Sequence, residues 1–134
     1  VKSSEKLNSK NILCNKVKIL QASVSDMPFD DNTFDNITAV ETYYFWPDKE
    51  NDVKEVFRVL KQGGTVMLLF EMLRTDDDPF KWEKVENMLN IKSVTPQEIR
   101  AVLESAGFEN INTYTEEGTT WLCATAQKPK DDEN

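Results

Sequence analysis

The chain has 134 residues, the size of one domain, and carries 16 basic against 24 acidic residues for a net charge of −8. It contains no histidine, which excludes imidazole catalysis and His-ligated zinc. The positions of its four glycines exclude the spacing G-x-G-x-x-G of a phosphate-binding loop. The acidic balance disfavours a nucleic-acid partner, because such a surface repels a phosphate backbone.

The first half of the chain predicts two strands and one helix. Alternating apolar side chains indicate a strand over residues 16–22, and residues 36–41 indicate a second one. Pro47 and Asp48 begin a helix with an apolar stripe of helical period. That stripe consists of Val53, Val56, Phe57 and Leu60. Gly63 is expected to end this helix as its C′ residue.

The second half predicts a central strand followed by two helices. Residues 65–72 are apolar on both faces, as in a strand that helices cover on each side. A helix over residues 79–90 is expected to bury one stripe, formed by Trp82, Val85 and Leu89. The next helix begins at a capping box of Thr95 and Glu98 and ends before Gly107.

The chain ends in a predicted hairpin. Strands over residues 108–115 and 119–127 are separated by a short turn, and the polar residues 128–134 are expected to be a flexible acidic tail. This order of elements predicts an α/β fold with a mostly parallel sheet and a C-terminal antiparallel hairpin. The connection between the first two strands, residues 23–35, contains no crossover helix, so those strands are either far apart in a larger sheet or unusually connected.

The two cysteines and the apolar runs indicate in which cellular compartment the protein is expected. Cys14 and Cys123 form no CxxC pair, which favours reduced thiols over a disulfide framework. The longest apolar run, residues 66–70, is far shorter than the about 20 residues of a membrane helix, and residues 1–11 show no signal sequence. The sequence therefore predicts a soluble cytoplasmic domain without a membrane or nucleic-acid partner.

Three segments, in this order and at this spacing, resemble the later motifs of class I S-adenosylmethionine-dependent methyltransferases of the small-molecule, methyltransferase type 11-like kind. They are VKILQASVSDMPFDDNTFD at residues 17–35, FRVLKQGGTVM at 57–67 and AGF at 106–108. The resemblance implies a Rossmann-like fold, S-adenosylmethionine as cofactor and a small-molecule acceptor. In that family a glycine-rich loop and an acidic residue that hold the cofactor precede these motifs. We therefore expect residues 1–127 to be a partial, truncated methyltransferase domain, running from the helix before strand 3 to strand 7, with impaired cofactor binding.

The family's strand order, 3-2-1-4-5-7-6, explains the unusual connection, since it places strands 1 and 2 between strands 3 and 4. Buried sheet edges that stay unpaired are costly. We therefore expect one of two compensations. Either the strand over residues 16–22 closes onto the strand over 36–41, or another chain, a second copy or the missing N-terminal half, fills the gap.

The resemblance implies four cofactor-binding residues. Ser23 and Val24 fall where the family contacts the adenine edge, although Ser23 replaces the usual aspartate and is equally well explained as a serine in a turn. Val40 and Glu41 follow the family's fourth strand, where the backbone approaches the methionine moiety of the cofactor. Ligands of parallel sheets bind beyond the carboxyl ends of the strands, so this position suits a ligand on independent grounds.

The most aromatic stretch of the chain follows the second predicted strand. Tyr43 and Tyr44 are our candidates for walls of the acceptor pocket, whereas Phe45 and Trp46 are expected to anchor the start of the next helix. Glu71, at the end of the central strand, is a candidate for contacting the acceptor or acting as a base, with a capping or solvent-exposed role as the alternative.

Two functions remain open. The first is S-adenosylmethionine-dependent methyl transfer to a small molecule, in which any base is a carboxylate or a tyrosine, or positioning alone suffices. The alternative is a non-catalytic methyltransferase-like module that dimerises or docks on a partner through its exposed sheet edge. No residue is singled out as catalytic. No metal site is expected, because the three acids at residues 76–78 precede a proline and are typical of a solvated helix cap.

Overall fold

The computed structural model describes residues 1–131 and contains six helical segments and four strands. In chain order these are α1 (Lys2–Leu7), α2 (Ser9–Leu13), β1 (Phe34–Val40), a 3₁₀ turn (Tyr43–Phe45), α3 (Lys49–Val59), β2 (Leu60–Phe70), α4 (Glu83–Leu89), α5 (Pro96–Ser105), β3 (Glu109–Thr115) and β4 (Leu122–Gln127). Within residues 1–131, no helix has the length and the hydrophobicity needed to span a bilayer.

The four strands form one sheet in the order β1-β2-β4-β3. β1 runs parallel to β2, and β4 runs antiparallel to both β2 and β3, so three of the four strands share one direction. This confirms the predicted α/β fold with a mostly parallel sheet and a C-terminal hairpin. The order also agrees with the 4-5-7-6 end of the strand order that the resemblance implies.

The core lies on one face of the sheet. Val66, Leu68 and Phe70 of β2 are buried, and α3 and α5 cover this face. The alternate residues of β2 that face the other way, Met67 and Leu69, are only half-buried. The prediction that helices cover the central strand on both sides is therefore wrong for the described residues, because α1 and α2 contain no buried residue.

The predicted strand over residues 16–22 is wrong. This segment forms no strand, and the chain makes only an isolated bridge between Ser23 and Asp26 before β1. The physical reason is the lack of a crossover helix in the connection, because a parallel neighbour of β1 is normally reached through one. Closure of this strand onto the outer edge of β1 is thus excluded, and β1 has β2 as its one neighbour within residues 1–131. Filling of that edge by another chain stays a prediction.

Gly63 does not end α3 as predicted. The helix ends at Val59, and the fully buried Leu60 already begins β2. Gly63 lies inside the strand with a φ of 74°, where the sheet register shifts and its amide donates to the Lys128 carbonyl over 2.8 Å. Glycine is required there because other residues adopt such a φ only at a cost.

The helices after β2 differ in how well their ends were predicted. α4 is shorter than the predicted helix over residues 79–90, and Leu89 is 47% exposed rather than buried. The capping box of α5 is confirmed: Thr95 Oγ1 accepts from the Glu98 amide over 3.2 Å, and Glu98 Oε2 accepts from the Thr95 amide over 2.9 Å. Both helices place the loop between them beside the carboxyl edge of the sheet.

Lys128, the first residue of the predicted tail, is held by hydrogen bonds. Lys128 Nζ donates to the Phe57 carbonyl and to Asn32 Oδ1, both over 2.9 Å, which fixes the chain after β4 to α3 and to the loop before β1. The remainder of the predicted tail, residues 132–134, lies outside the described residues.

Candidate functional site

Two of the predicted site residues lie at the carboxyl edge of β1 and β2. Glu41 directly follows β1, Glu71 directly follows β2, and the two strands are parallel neighbours with Val40 beside Leu69. Glu41 has a left-handed φ of 57°, and its amide donates to the Leu69 carbonyl over 3.0 Å. The chain therefore bends across the edge of the sheet where ligands of open α/β folds bind.

Glu41 carries a carboxylate oxygen without a partner. Its Oε1 is buried and makes no hydrogen bond within residues 1–131. Burial raises the pKa of the Glu41 carboxyl, a hydrogen bond from the Glu71 backbone opposes this rise, and the charge of Glu71 adds to it. A buried acceptor without a partner is costly, so Glu41 is suited to accept a hydrogen bond from a bound donor. The side chain of Glu71 lies exposed at the same edge.

The four aromatic residues after β1 divide by burial. Tyr43 and Tyr44 are 6% and 5% exposed, Trp46 is half-buried against the core, and Phe45 is 60% exposed. The expectation that Phe45 anchors the start of the helix is therefore wrong, since its ring faces solvent. The two tyrosines form the inner wall of the turn, and Trp46 packs on Tyr43 with ring centroids 5.2 Å apart.

Tyr44 ties the turn to the chain beyond β2. Its hydroxyl oxygen accepts from the Met72 amide over 2.8 Å in a buried position, and its ring packs edge-on against Phe70 at 5.8 Å. Burial raises the pKa of Tyr44 to about 12, although the Met72 hydrogen bond opposes the shift. The charge of Glu41 contributes to the rise, which places the tyrosine within electrostatic reach of the carboxyl edge.

Tyr43 differs from Tyr44 in that its hydroxyl makes no hydrogen bond within residues 1–131. Its ring packs edge-on against Phe70 at 5.5 Å, and Lys49 Nζ lies 5.3 Å from the ring centroid. Burial, followed by the charges of Glu98 and Glu50, raises the pKa of Tyr43 to about 12. Tyr43 therefore stays a neutral hydroxyl near pH 7 and is available as a hydrogen-bond donor.

Both tyrosines line a pocket of about 510 Å³ between the aromatic turn, α3 and the loop that leads into α5. Its lining includes Tyr43, Tyr44, Lys49, Lys92, Glu98 and Ile99. The volume lies within the range of small-molecule sites. The structure thus brings the two predicted acceptor residues to one pocket, while Glu71 is not part of its lining.

Lys49 is a site residue that the sequence reasoning missed. Its Nζ donates to the Tyr44 carbonyl over 3.2 Å and to the Trp46 carbonyl over 3.3 Å, which fixes the aromatic turn. Burial lowers the pKa of Lys49, and the charge of the fully buried Asp52 opposes the change. One signal was visible in the sequence: a lysine in the first turn of a helix opposes the helix dipole and needs a local reason.

Of the two predicted adenine-side residues, Val24 lies beside Val40, which was predicted at the methionine end, and Ser23 lies elsewhere. Val24 and Val40 line a second concavity of about 270 Å³, together with Met27, Ile37 and Trp46. Ser23 is exposed outside this lining, and its hydroxyl oxygen accepts from the Ser25 amide over 3.2 Å. The structure therefore brings Val24 and Val40 together, and it places Ser23 in a turn.

The acidic residues 76–78 are exposed in a loop before α4. Within residues 1–131, no group of three or more His, Cys, Asp or Glu side chains has the arrangement that holds a metal ion.

The chain matches known proteins over most of its length. Residues 1–68 match the protein-family model described as Methyltransferase domain. The chain is 29% identical to the uncharacterized methyltransferase YdaC of Bacillus subtilis over 126 residues, which cover 92% of this chain and 64% of that protein. It is 33% identical to the ubiquinone/menaquinone biosynthesis C-methyltransferase UbiE of Cronobacter sakazakii, over 85% of this chain and 54% of that protein. The chain thus spans between half and two thirds of these relatives.

A solved structure shares the fold. The possible histamine N-methyltransferase of Thermotoga maritima superposes with a TM-score of 0.71 at 20% identity, over 90% of this chain and 68% of that one. At this identity the likeness establishes the Rossmann-like fold alone.

Proposed function

This chain belongs to the methyltransferase-domain family of class I S-adenosylmethionine-dependent methyltransferases, and on that premise we propose that it takes part in methyl transfer from S-adenosylmethionine to a small-molecule acceptor. The observation that carries the proposal is the buried, unpartnered carboxylate oxygen of Glu41 at the carboxyl edge of β1 and β2. The quinone-biosynthesis relative supports a small organic acceptor.

The residues at this edge fit one part of the cofactor. S-adenosylmethionine, when bound, supplies a methyl carbon that is electrophilic because it is attached to a sulfonium. Its amino group is a cationic donor, and Glu41 Oε1 is a buried acceptor without a partner. We assign Val40 and Glu41 to the methionine end, and Val24 to an apolar wall beside the adenine. We keep Ser23 as a proposed contact of the adenine. Its hydroxyl oxygen accepts from the Ser25 amide, and its own O–H group can still donate to the cofactor.

Of the two kinds of candidate base, carboxylates and tyrosines, we favour the carboxylates. The pKa values of Tyr43 and Tyr44 are about 12, so neither tyrosine is deprotonated near neutral pH. The exposed Glu71 is the remaining predicted acceptor-side residue, and we propose that it contacts the acceptor or takes its proton where the accepting atom carries one. Tyr43 and Tyr44 serve as walls, since the Tyr44 hydroxyl already holds the Met72 amide.

Calorimetric titration of the 134-residue chain with S-adenosylmethionine tests the proposal. We expect weak binding, because these residues include no glycine-rich loop. We accordingly propose that residues 1–127 form a partial methyltransferase domain. Glu41→Gln keeps the shape and removes the charge, so we expect it to weaken binding by about tenfold, as for loss of a charged hydrogen-bond partner.

Glu116→Gln, in the exposed turn of the hairpin, is the matched control and is expected to bind like the wild type. Equal binding by the Glu41→Gln variant and the wild type would remove Glu41 from the site. Tight binding by the wild type would show that the glycine-rich loop matters less than we propose.

The unpaired outer edge of β1 favours a second candidate function, partner docking. Within residues 1–131 this edge has no neighbouring strand, and the concavity of about 270 Å³ is lined mostly by apolar side chains, with Thr38 and Thr42 among them. A strand with unpaired amides and carbonyls is a template for another strand. Size-exclusion chromatography with light scattering tests this function: a dimer would support it, whereas a monomer at all concentrations that binds the cofactor would remove it.

The compartment that we propose is the cytoplasm. Cys14 and Cys123 are free thiols, and Cys14 is exposed. Exposed free thiols are typical of reducing compartments, which supports this location.

A further inference from the structure

The pocket of about 510 Å³ contains two lysines in a chain whose net charge is −8. Lys49 lies at its inner side and Lys92 at its exposed mouth. Glu98 is the one acid in the lining, and its charge is already matched, since Arg74 Nη2 lies 2.6 Å from Glu98 Oε1. Its second oxygen is engaged by Thr95 in the capping box. The lining itself therefore carries more positive than negative charge, while the charges of Asp52 and Glu86 act on Lys49 and Lys92 from outside it.

Three side chains of the lining, Lys49, Tyr43 and Lys92, have N–H or O–H groups that no acceptor within residues 1–131 occupies. Lys49 uses two of its three N–H groups on the Tyr44 and Trp46 carbonyls, which leaves one for a ligand. The Tyr43 hydroxyl makes no hydrogen bond within residues 1–131, although Tyr43 is only 6% exposed. Lys92 likewise makes no hydrogen bond in this part of the chain and contributes an exposed cation. These three donors suit an oxygen anion.

The floor of the pocket is apolar. Ile91, Val94 and Ile99 are 7%, 4% and 0% exposed and line it. Ile99 belongs to the buried stripe of α5, and Val94 is held by a bridge to Leu73. A floor of this kind accommodates a hydrocarbon body whose polar group is turned toward the donors.

We propose that this pocket binds a small monocarboxylate with an apolar, aromatic or branched body, whose carboxylate is held by Lys49, Lys92 and Tyr43. The inference rests on the proposed function in one respect, because it takes the methyl acceptor to be a monocarboxylate of this kind. Binding itself does not depend on methyl transfer, so the two are measured separately.

Two probes of equal shape test the inference by ¹H–¹⁵N correlation spectra of the full chain. Phenylacetate carries the anion, and phenylacetamide replaces it with a neutral amide. We expect phenylacetate to shift the amides of residues 43–44 and 90–94 and to bind about tenfold more tightly than the amide, because charged hydrogen bonds are the stronger ones. Equal affinity for the two probes, shifts confined to other residues, or the absence of shifts would each overturn the inference.

Single substitutions show which groups hold the anion. Lys92 is exposed and makes no hydrogen bond or ion pair within the described residues, so Lys92→Met mainly removes its charge, and Tyr43→Phe removes only the hydroxyl. We expect each to weaken phenylacetate binding severalfold, and we expect Lys92→Met to leave binding of the amide probe unaffected. Lys54→Met, on the exposed face of α3, is the matched control and should bind phenylacetate like the wild type. Unchanged phenylacetate binding in both Lys92→Met and Tyr43→Phe would refute the anion site.

Failure of this inference and failure of the proposed function give different results. Phenylacetate binding in a chain that does not bind S-adenosylmethionine would overturn the proposed function alone. Binding of S-adenosylmethionine with no preference for phenylacetate over its amide would overturn this inference alone.

Discussion

Replacing Tyr44 by phenylalanine isolates one buried hydrogen bond. The substitution keeps the ring, which packs at 5.8 Å from Phe70, and removes the oxygen that accepts from the Met72 amide at 2.8 Å. Met72 is 7% exposed, so its amide loses a partner that water does not readily replace. A buried donor left without an acceptor costs about 1–3 kcal/mol.

Equilibrium unfolding in urea measures this cost. With a dependence of about 2 kcal/mol per molar urea, a loss of about 2 kcal/mol lowers the midpoint by about 1 M. Tyr43→Phe is the internal control, because the Tyr43 hydroxyl has no hydrogen-bond partner in residues 1–131, and its midpoint should shift by less than about 0.3 M. Equal midpoints for the wild type and Tyr44→Phe would refute the role of this hydrogen bond in holding the aromatic turn.

Three further predictions concern stability. Thr95→Ala removes the acceptor of the Glu98 amide and should lower the free energy of unfolding, measured in urea, by about 1 kcal/mol. An unchanged urea midpoint would show that the capping box contributes no stability. Gly63→Ala places a Cβ at a φ of 74° and should cost about 1–2 kcal/mol; a stabilised variant would contradict this backbone geometry. The pKa values of Tyr43 and Tyr44 lie at about 12 in the folded chain against 10.0 for an unperturbed tyrosine, so their stabilisation is complete below pH 10 and is lost as the pH rises to 12. Unfolding free energies that stay flat over this interval would argue against their burial.

Local signals in the sequence predicted the parts of the fold that short-range chemistry controls. The capping box at Thr95 and Glu98 fixes the start of α5, because both hydrogen bonds join residues three positions apart. The apolar stripe of α3 and the short turn between β3 and β4 are local in the same sense. The capping box is confirmed, Val53 and Val56 of the predicted stripe are buried in α3, and β3 and β4 form the predicted hairpin, although its loop over residues 116–121 is longer than predicted.

Long-range pairing explains the failures. Residues 16–22 have the alternation of a strand, but a strand also needs an edge to pair with, and the connection to β1 contains no crossover helix that would bring the two side by side. Gly63 follows a helical pattern in sequence, yet burial of Leu60 in the sheet ends the helix earlier. Leu89 fits the helical period of α4, but no element of the described chain covers it. In all three cases, tertiary contacts overrule a local preference.

The candidate site was predictable where strand ends determine it. Glu41 and Glu71 were identified from the ends of two strands, and parallel pairing brings those ends to one edge. The aromatic turn was less predictable, because burial of Tyr43 and exposure of Phe45 depend on the position of Phe70 in a distant strand. Lys49 was missed, since its two carbonyl partners become visible only when the turn is folded.

Photochemical cross-linking of radiolabelled S-adenosylmethionine to the full chain tests the central claim most directly. We predict that the label is attached between residues 36 and 46, the segment that holds Val40, Glu41 and the aromatic turn, and that excess unlabelled cofactor prevents the labelling. Labelling spread over unrelated segments, or labelling that excess cofactor does not reduce, would contradict the placement of the cofactor at the carboxyl edge of β1 and β2.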